Sequence, residues 1–100
     1  MISKRAFFPS LFAKLDNSIY VIGGSDSNSS DLSKCEKFSL IENVWRPIAP
    51  MTISRNGTSA VLMESYRLIF VFGGNNNKLG TLNKIEKYEI DFDKWTVLTI

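Results

Sequence analysis

The sequence has no histidine and a single cysteine, Cys35, among its 100 residues. One cysteine cannot form a disulfide within the chain, and a structural zinc site needs about four Cys or His ligands. The composition therefore predicts no internal disulfide and no structural zinc site, and no metal or cofactor is expected. A lone cysteine also favours a reducing, cytoplasmic compartment.

Long apolar runs and an excess of one charge are also missing. No apolar stretch approaches the ~20 residues that a membrane-spanning helix needs. The net charge is +2, and the basic residues are scattered among acidic ones, so the pattern argues against nucleic acid or an anionic membrane as partner. With 44% apolar and 22% charged residues, the chain has ordinary globular composition.

What the sequence does contain is a repeat of fifty residues, which aligns without a gap. Eleven of the fifty positions are identical, where average composition would give roughly three. The chain is therefore predicted to consist of two units, 1–50 and 51–100. In the first unit the identical positions are Met1, Arg5, Ile19, Val21, Gly23, Gly24, Leu32, Lys34, Glu36, Lys37 and Trp45.

Each unit is predicted to form four short strands, because β-branched and aromatic runs alternate with polar turns. The predicted strands are 7–14, 18–22, 34–40 and 44–48 in the first unit, and 58–63, 68–72, 84–90 and 95–98 in the second. Residues 25–31 and 75–81 are predicted loops. No segment keeps a 3.6-residue apolar period, so the pattern indicates an all-β chain.

The order of the repeated residues resembles the kelch repeat: Met-x₃-Arg, a hydrophobic strand, Gly-Gly, an aromatic residue, and Trp seven positions later. The resemblance covers the whole chain and implies two four-stranded antiparallel blades of a kelch-type β-propeller, a partial propeller. Pro9, inside the first predicted strand, would then lie at the inner edge of a blade, where proline is tolerated. The residues that carry the resemblance are Met1, Arg5, Gly23, Gly24, Phe38 and Trp45, then Met51, Arg55, Gly73, Gly74, Tyr88 and Trp95.

Most of these signature residues are expected to be structural. A glycine doublet after a strand suits a chain reversal; a phosphate-binding role is disfavoured because no helix N-terminus follows it. Trp45 and Trp95 each offer roughly 150–250 Å² to bury, and the resemblance implies burial between blades rather than use as a ligand platform. Phe38, where the family usually has Tyr, keeps the ring and loses the hydroxyl.

Two sets of residues are candidates for partner binding. The resemblance implies that Arg5 and Arg55 lie near the channel mouth, where they either contact an acidic partner or satisfy carbonyls and a carboxylate within the repeat. The loops 25–31 and 75–81 are polar, differ between the units and are expected to carry no large apolar anchor. Loops on a rigid scaffold often carry recognition, which adds four candidates: Asp26, Asn28, Asn76 and Lys78.

The resemblance implies a protein-interaction scaffold, for instance a substrate adaptor or a cytoskeletal protein, rather than an enzyme. The alternative is a fragment of a kelch-propeller enzyme acting on a sugar or small metabolite, with catalytic residues outside this chain. Copper oxidases of related fold need imidazole ligands, and this chain has none.

Two blades alone would leave two apolar sheet faces in water. Repeat proteins generally need at least three units for stability, so the chain alone is not expected to be a stable monomer. Further blades are expected from a longer chain or from self-assembly, for instance of three copies. A protein partner is expected in addition.

Overall fold

Two four-stranded antiparallel sheets form the computed structural model, which describes residue 1 and residues 4–98. In the first sheet the strands lie in chain order: β1 (Ser10–Ala13), β2 (Ser18–Ile22), β3 (Cys35–Ser39) and β4 (Val44–Ile48). The second sheet contains β5 (Ser59–Met63), β6 (Leu68–Phe72), β9 (Ile85–Glu89) and β10 (Lys94–Leu98), and a 3₁₀ turn, Glu64–Tyr66, joins β5 to β6. Between β6 and β9, β7 (Asn75–Asn76) and β8 (Gly80–Thr81) form a short hairpin.

The two sheets stack face to face around one apolar core. Successive side chains of a strand point to opposite faces, so each sheet contributes one face to the core and keeps the other outside. From the first sheet the core takes Leu11, Ala13, Tyr20, Ile22, Cys35 and Ile48, and from the second Ala60, Leu62, Ile69, Val71, Tyr88 and Trp95. The prediction of an all-β chain with two antiparallel four-stranded units is confirmed.

The stacking is front to back. Tyr20 and Ile22 face the core from the first sheet, whereas their repeat equivalents in the second sheet, Phe70 and Phe72, lie on its far face. The two sheets are therefore related by a repeated step in one direction, as in a propeller, and not by a two-fold axis. β1 and β5 are neighbours across the interface.

The segment 51–55, which leads into the second sheet, is bonded by its backbone to the connection between β2 and β3. The Met51 N–H donates to the Ser33 carbonyl at 2.9 Å, and the Arg55 N–H donates to the Leu32 carbonyl at 3.1 Å. In return the Gly24 N–H donates to the Arg55 carbonyl at 2.9 Å. We call 51–55 the entry segment of the second sheet.

Gly23 is needed where the entry segment crosses. A Cβ at this residue would lie 2.7 Å from the Arg55 carbonyl oxygen and 2.8 Å from Met51 Cε, and φ is +61°. Gly73, its repeat equivalent, has φ +72° but has no atom within 4 Å of such a Cβ in the described part of the chain. The same backbone conformation therefore exists in both sheets, covered in the first and open in the second.

Two details of the predicted strands were wrong. The first strand begins at Ser10, not at residue 7, because Phe7 has φ +56° and turns the chain. Pro9 therefore lies before the strand, where its carbonyl accepts a hydrogen bond from the Ile22 N–H at 3.2 Å. The predicted loop 75–81 contains the hairpin β7–β8.

Candidate functional site

Arg55 is fully buried and fixes the entry segment to the second sheet. Its guanidinium donates to the Lys84 carbonyl at 2.9 Å and to Glu86 Oε2 at 2.9 Å. Glu86 Oε1 also accepts from the N–H and the hydroxyl of Thr52, each at 2.8 Å. Buried charges need this degree of pairing and hydrogen bonding, and in this arrangement Arg55 has no surface left for a partner.

Arg5 repeats the arrangement in the first sheet. It donates to the Gly23 carbonyl at 2.9 Å, to the Lys34 carbonyl at 2.8 Å and to Glu36 Oε2 at 2.6 Å. The side chains of Arg5 and Glu36 are 0% and 3% exposed. Of the two roles expected for these arginines, both therefore make the contacts of the second, in which each bonds to carbonyls and a carboxylate within its own repeat.

Asp26 and Asn76, which are equivalent in the repeat, organise the two loops. Asp26 Oδ1 accepts from the N–H groups of Asn28 and Ser30 at 2.9 and 3.0 Å. Asn76 Oδ1 accepts from the N–H of Lys78 at 2.9 Å, and its amide donates to the Ser54 carbonyl at 2.6 Å. These two side chains shape the loops, whereas Asn28 and Lys78 are exposed at the tips.

Asp31 joins the two loops into one surface. One of its oxygens accepts a short hydrogen bond from the Asn56 side-chain amide, and the other accepts from the Asn77 N–H. The Asn77 amide in turn donates to the Ser29 carbonyl at 3.3 Å. Beside this bridge is an open cavity of about 290 Å³, whose lining residues are Asp31, Ser54, Asn76, Asn77 and Lys78.

Comparison with protein families matches the kelch motif twice, at residues 11–52 and 57–99; the first match covers the first four-stranded sheet except Ser10, and the second match contains the second sheet. The chain belongs to the kelch-repeat family. Its two sheets are consecutive blades, and the set of blades described is not closed into a ring. No curated protein matches the chain.

The kelch signature tryptophans occupy different surroundings in the two blades. Trp95 is 7% exposed, its ring centroid is 4.8 Å from that of Tyr88, and its indole N–H donates to the Ala49 carbonyl of the connection between blades at 2.7 Å. Trp45 packs on Phe38 with centroids 5.1 Å apart but is only half-buried. Its indole N–H has no acceptor among the described residues.

Two exposed apolar side chains on the loop side of the kelch blades were not predicted. Phe7 is 73% exposed, and its carbonyl accepts from the Gly57 N–H at 2.9 Å, which places it at the inner edge between blades. Leu79 is 65% exposed at the tip of the β7–β8 hairpin. The expectation that the loops lack a large apolar anchor was wrong for 75–81. Comparing the two repeat units could have identified both side chains, because the equivalent residues of Phe7 and Leu79 in the other unit are Gly57 and Ser29.

The Cys35 thiol and the hydroxyls of Tyr20 and Tyr88, all inside the blades, are held in their neutral forms. Burial raises the pKa of the Cys35 thiol to about 12. Burial also raises the pKa of Tyr20 and Tyr88, and each donates its hydroxyl proton to a carboxylate at 2.6 Å, Asp16 and Asp93 respectively, which raises the pKa further. These groups are therefore unsuited to act as nucleophile or base near neutral pH.

Metal and membrane sites were sought in residues 1 and 4–98. Within this part of the chain no three Cys, Asp or Glu side chains converge as metal ligands. Nor do these residues contain a helix with the length and hydropathy needed to span a bilayer.

Proposed function

We propose that the two kelch blades form part of a protein-binding scaffold that recognises its partner through the loop face. The loop face consists of the loops 25–31 and 75–81 together with Phe7. The observation that carries the proposal is the Asp31 bridge, which holds both loops in one surface, together with two exposed apolar side chains on the loop side, Phe7 and Leu79.

This arrangement has the properties of a recognition surface. Large apolar side chains in the middle of a contact supply most of the binding free energy, and surrounding polar groups exclude water and orient the partner. The exposed amides and hydroxyls of 27–30 and 77–78 can hydrogen-bond to a partner's backbone. Because Asp26, Asp31 and Asn76 already fix the loops, little loop entropy is lost on binding.

Binding rather than catalysis is favoured at this surface. Asp26 and Asp31, the acidic residues of the loop 25–31, both accept hydrogen bonds that maintain loop structure. General acid–base chemistry needs a carboxyl group that can reach substrate. We place any catalytic residues of a kelch enzyme outside this chain, and we retain a cytoplasmic location as part of the proposal.

The test compares two variants in which exposed apolar residues are replaced. In the loop-face variant, Phe7→Gly and Leu79→Ser, each residue takes the identity of its repeat equivalent. The control, Phe92→Ser, removes a side chain that is 74% exposed in the turn between β9 and β10, at the opposite end of the blade. Proteins retained by the wild-type chain from its source cells are identified by quantitative mass spectrometry, purified and titrated calorimetrically.

The proposal expects a purified partner whose affinity falls at least about tenfold with the loop-face variant. It should bind the Phe92→Ser control with unchanged affinity. Equal affinity of every partner for the wild type and the loop-face variant would contradict the proposal.

A further inference from the structure

Each blade has one sheet face that no neighbouring blade covers in the described part of the chain. On the second blade Val61, Met63 and Phe72 are 46%, 41% and 39% exposed. On the first blade Phe12 is 48% exposed and Trp45 is half-buried. Contiguous apolar surface of this kind marks an interface.

The two uncovered faces correspond to the two faces that already meet in the core. Val61 and Phe72 hold the repeat positions of Leu11 and Ile22, which face the second blade from the first. On the other side, Phe12 and Trp45 hold the positions of Leu62 and Trp95. The uncovered face of the second blade is thus suited to the uncovered face of the first, and the two faces lie on opposite sides of the described pair of blades.

The backbone around both glycine doublets has the conformation found at the interface between the blades. Around the first glycine doublet the Leu32 N–H donates to the Gly24 carbonyl at 2.8 Å, and around the second the Leu82 N–H donates to the Gly74 carbonyl at 2.9 Å. The second doublet therefore has the conformation that receives an entry segment, and Gly73 is open. Arg5, equivalent to Arg55, already makes the same bonds within its blade.

We propose that this chain closes its propeller with further copies of itself, with Met1 and Arg5 of one copy packing on Gly73 and Leu82 of the next. Such an interface is head to tail, so it ends only when a ring closes. Known propellers have about 4–8 blades, which corresponds to about two to four copies.

The interface between copies is weaker than the interface inside one chain. Inside the chain, Asp31 accepts from Asn56, and Glu64 Oε1 accepts from the Leu15 N–H at 2.6 Å. At the equivalent positions the interface between copies has Thr81 opposite Ala6, and Lys14 in place of Glu64. These side chains cannot make the same bonds, so the ring dissociates on dilution before the blades separate.

Two variants with a charge on opposite faces test the head-to-tail geometry. Phe12→Asp blocks the uncovered face of the first blade, and Val61→Asp blocks that of the second; both residues are about half exposed, so the interior is undisturbed. By sedimentation velocity the wild type should form a discrete ring and each variant alone should be monomeric. An equimolar mixture should give a one-to-one dimer and nothing larger, because it retains one intact pair of faces.

Circular dichroism first establishes that each variant is folded, and Met63→Lys replaces Val61→Asp if that variant is not. The proposal is overturned by a wild-type monomer at millimolar concentration, by a mixture that stays monomeric, or by aggregates that neither variant abolishes. A wild-type monomer would assign the uncovered faces to blades of another chain or of a longer one.

A second experiment strengthens the interface instead of blocking it. Ala6→Asn with Thr81→Asp places the Asn56–Asp31 pair at the equivalent positions between copies. The double variant should lower the dissociation constant of the ring by about tenfold, the value of one charge-assisted hydrogen bond. Each single change should alter it by less than about threefold. A double variant that associates no more tightly than the two single variants would contradict the assigned register.

Discussion

Trp95 and Trp45 are equivalent in the repeat, and their surroundings differ because, within the described residues, a neighbouring blade covers only Trp95. The indole of Trp95 packs against Tyr88, and its N–H donates to the Ala49 carbonyl in the connection between the blades. Trp45 likewise packs on an aromatic residue, Phe38, but the other side of its ring is uncovered. The tryptophan at this repeat position therefore stabilises the fold in the second blade and is available for association in the first.

Trp95→Ala should lower the free energy of unfolding by roughly 3–5 kcal/mol, since it leaves a cavity and an unsatisfied carbonyl in the core. Trp45→Ala should change it by less than about 1 kcal/mol at dilutions where copies do not associate, and should instead weaken association. Urea unfolding followed by circular dichroism measures the first effect, and sedimentation measures the second. Equal losses of stability in both variants would mean that the two tryptophans are buried alike.

Single residues also mark the limit of what the sequence could predict at the site. Asn76 and Asp26 were selected as binding candidates because they are polar and lie in loops, yet their side chains hold the loop backbone together. Sequence position does not reveal whether an Asn points inward or outward. Phe7 was assigned to a strand on its β propensity, which the local turn at this residue overrides.

The entry segment is the element that joins one blade to the next. Its backbone bonds reach the first blade, and its Arg55 side chain reaches Glu86 in the second. The pairing is the reason that arginine and glutamate recur fifty residues apart in the repeat. An element held on both sides transmits the position of one blade to its neighbour.

Breaking the Arg55–Glu86 pair should therefore be costly. Glu86→Gln leaves the buried guanidinium without its counter-charge and should destabilise the chain by about 3–5 kcal/mol. The double change Arg55→Met with Glu86→Leu removes both charges and should cost less than Glu86→Gln alone. Both are measured by urea unfolding, with the surface pair Arg67–Asp91 as control, where Asp91→Asn should cost under about 1 kcal/mol. A smaller loss from Glu86→Gln than from Asp91→Asn would show that the buried pair is dispensable.

Strands were predicted well where the same sequence pattern occurs in both repeat units. Strands 18–22, 44–48 and 68–72 were predicted with the bounds that β2, β4 and β6 have. The β7–β8 hairpin was missed because its strands contain only two residues each and depend on the Asn76 side chain rather than on hydrophobic alternation. A pattern that short has no period to detect.

At the scale of the molecule, the family and the blade architecture follow from the sequence, whereas the loop face does not. Repeats encode their own packing, since each unit must bury faces against similar units. The union of two loops through Asp31 depends on how one blade is rotated relative to the next, and neither loop alone contains that information.

The stability of the whole chain should fall at alkaline pH. Unfolded Cys and Tyr side chains ionise near pH ~8.5 and ~10, whereas the folded state raises the pKa of Cys35, Tyr20 and Tyr88 above those values. The folded form thus binds more protons, so the stability is complete below pH ~8 and is lost progressively as the pH rises. Urea unfolding between about pH 7 and 11 measures the loss, and Tyr88→Phe should reduce it. A flat profile would show that the three groups are not buried in the folded state.

The contrast between the two tryptophans gives the chain an internal optical probe. A buried indole beside Tyr88 emits at shorter wavelength than a half-exposed one and receives excitation energy from the tyrosine. Emission from Trp95 therefore reports the contact between blades within one chain, and emission from Trp45 reports the first blade's uncovered face. In Trp95→Phe protein, a shift of the remaining emission to shorter wavelength would accompany the covering of that face, with no dye attached.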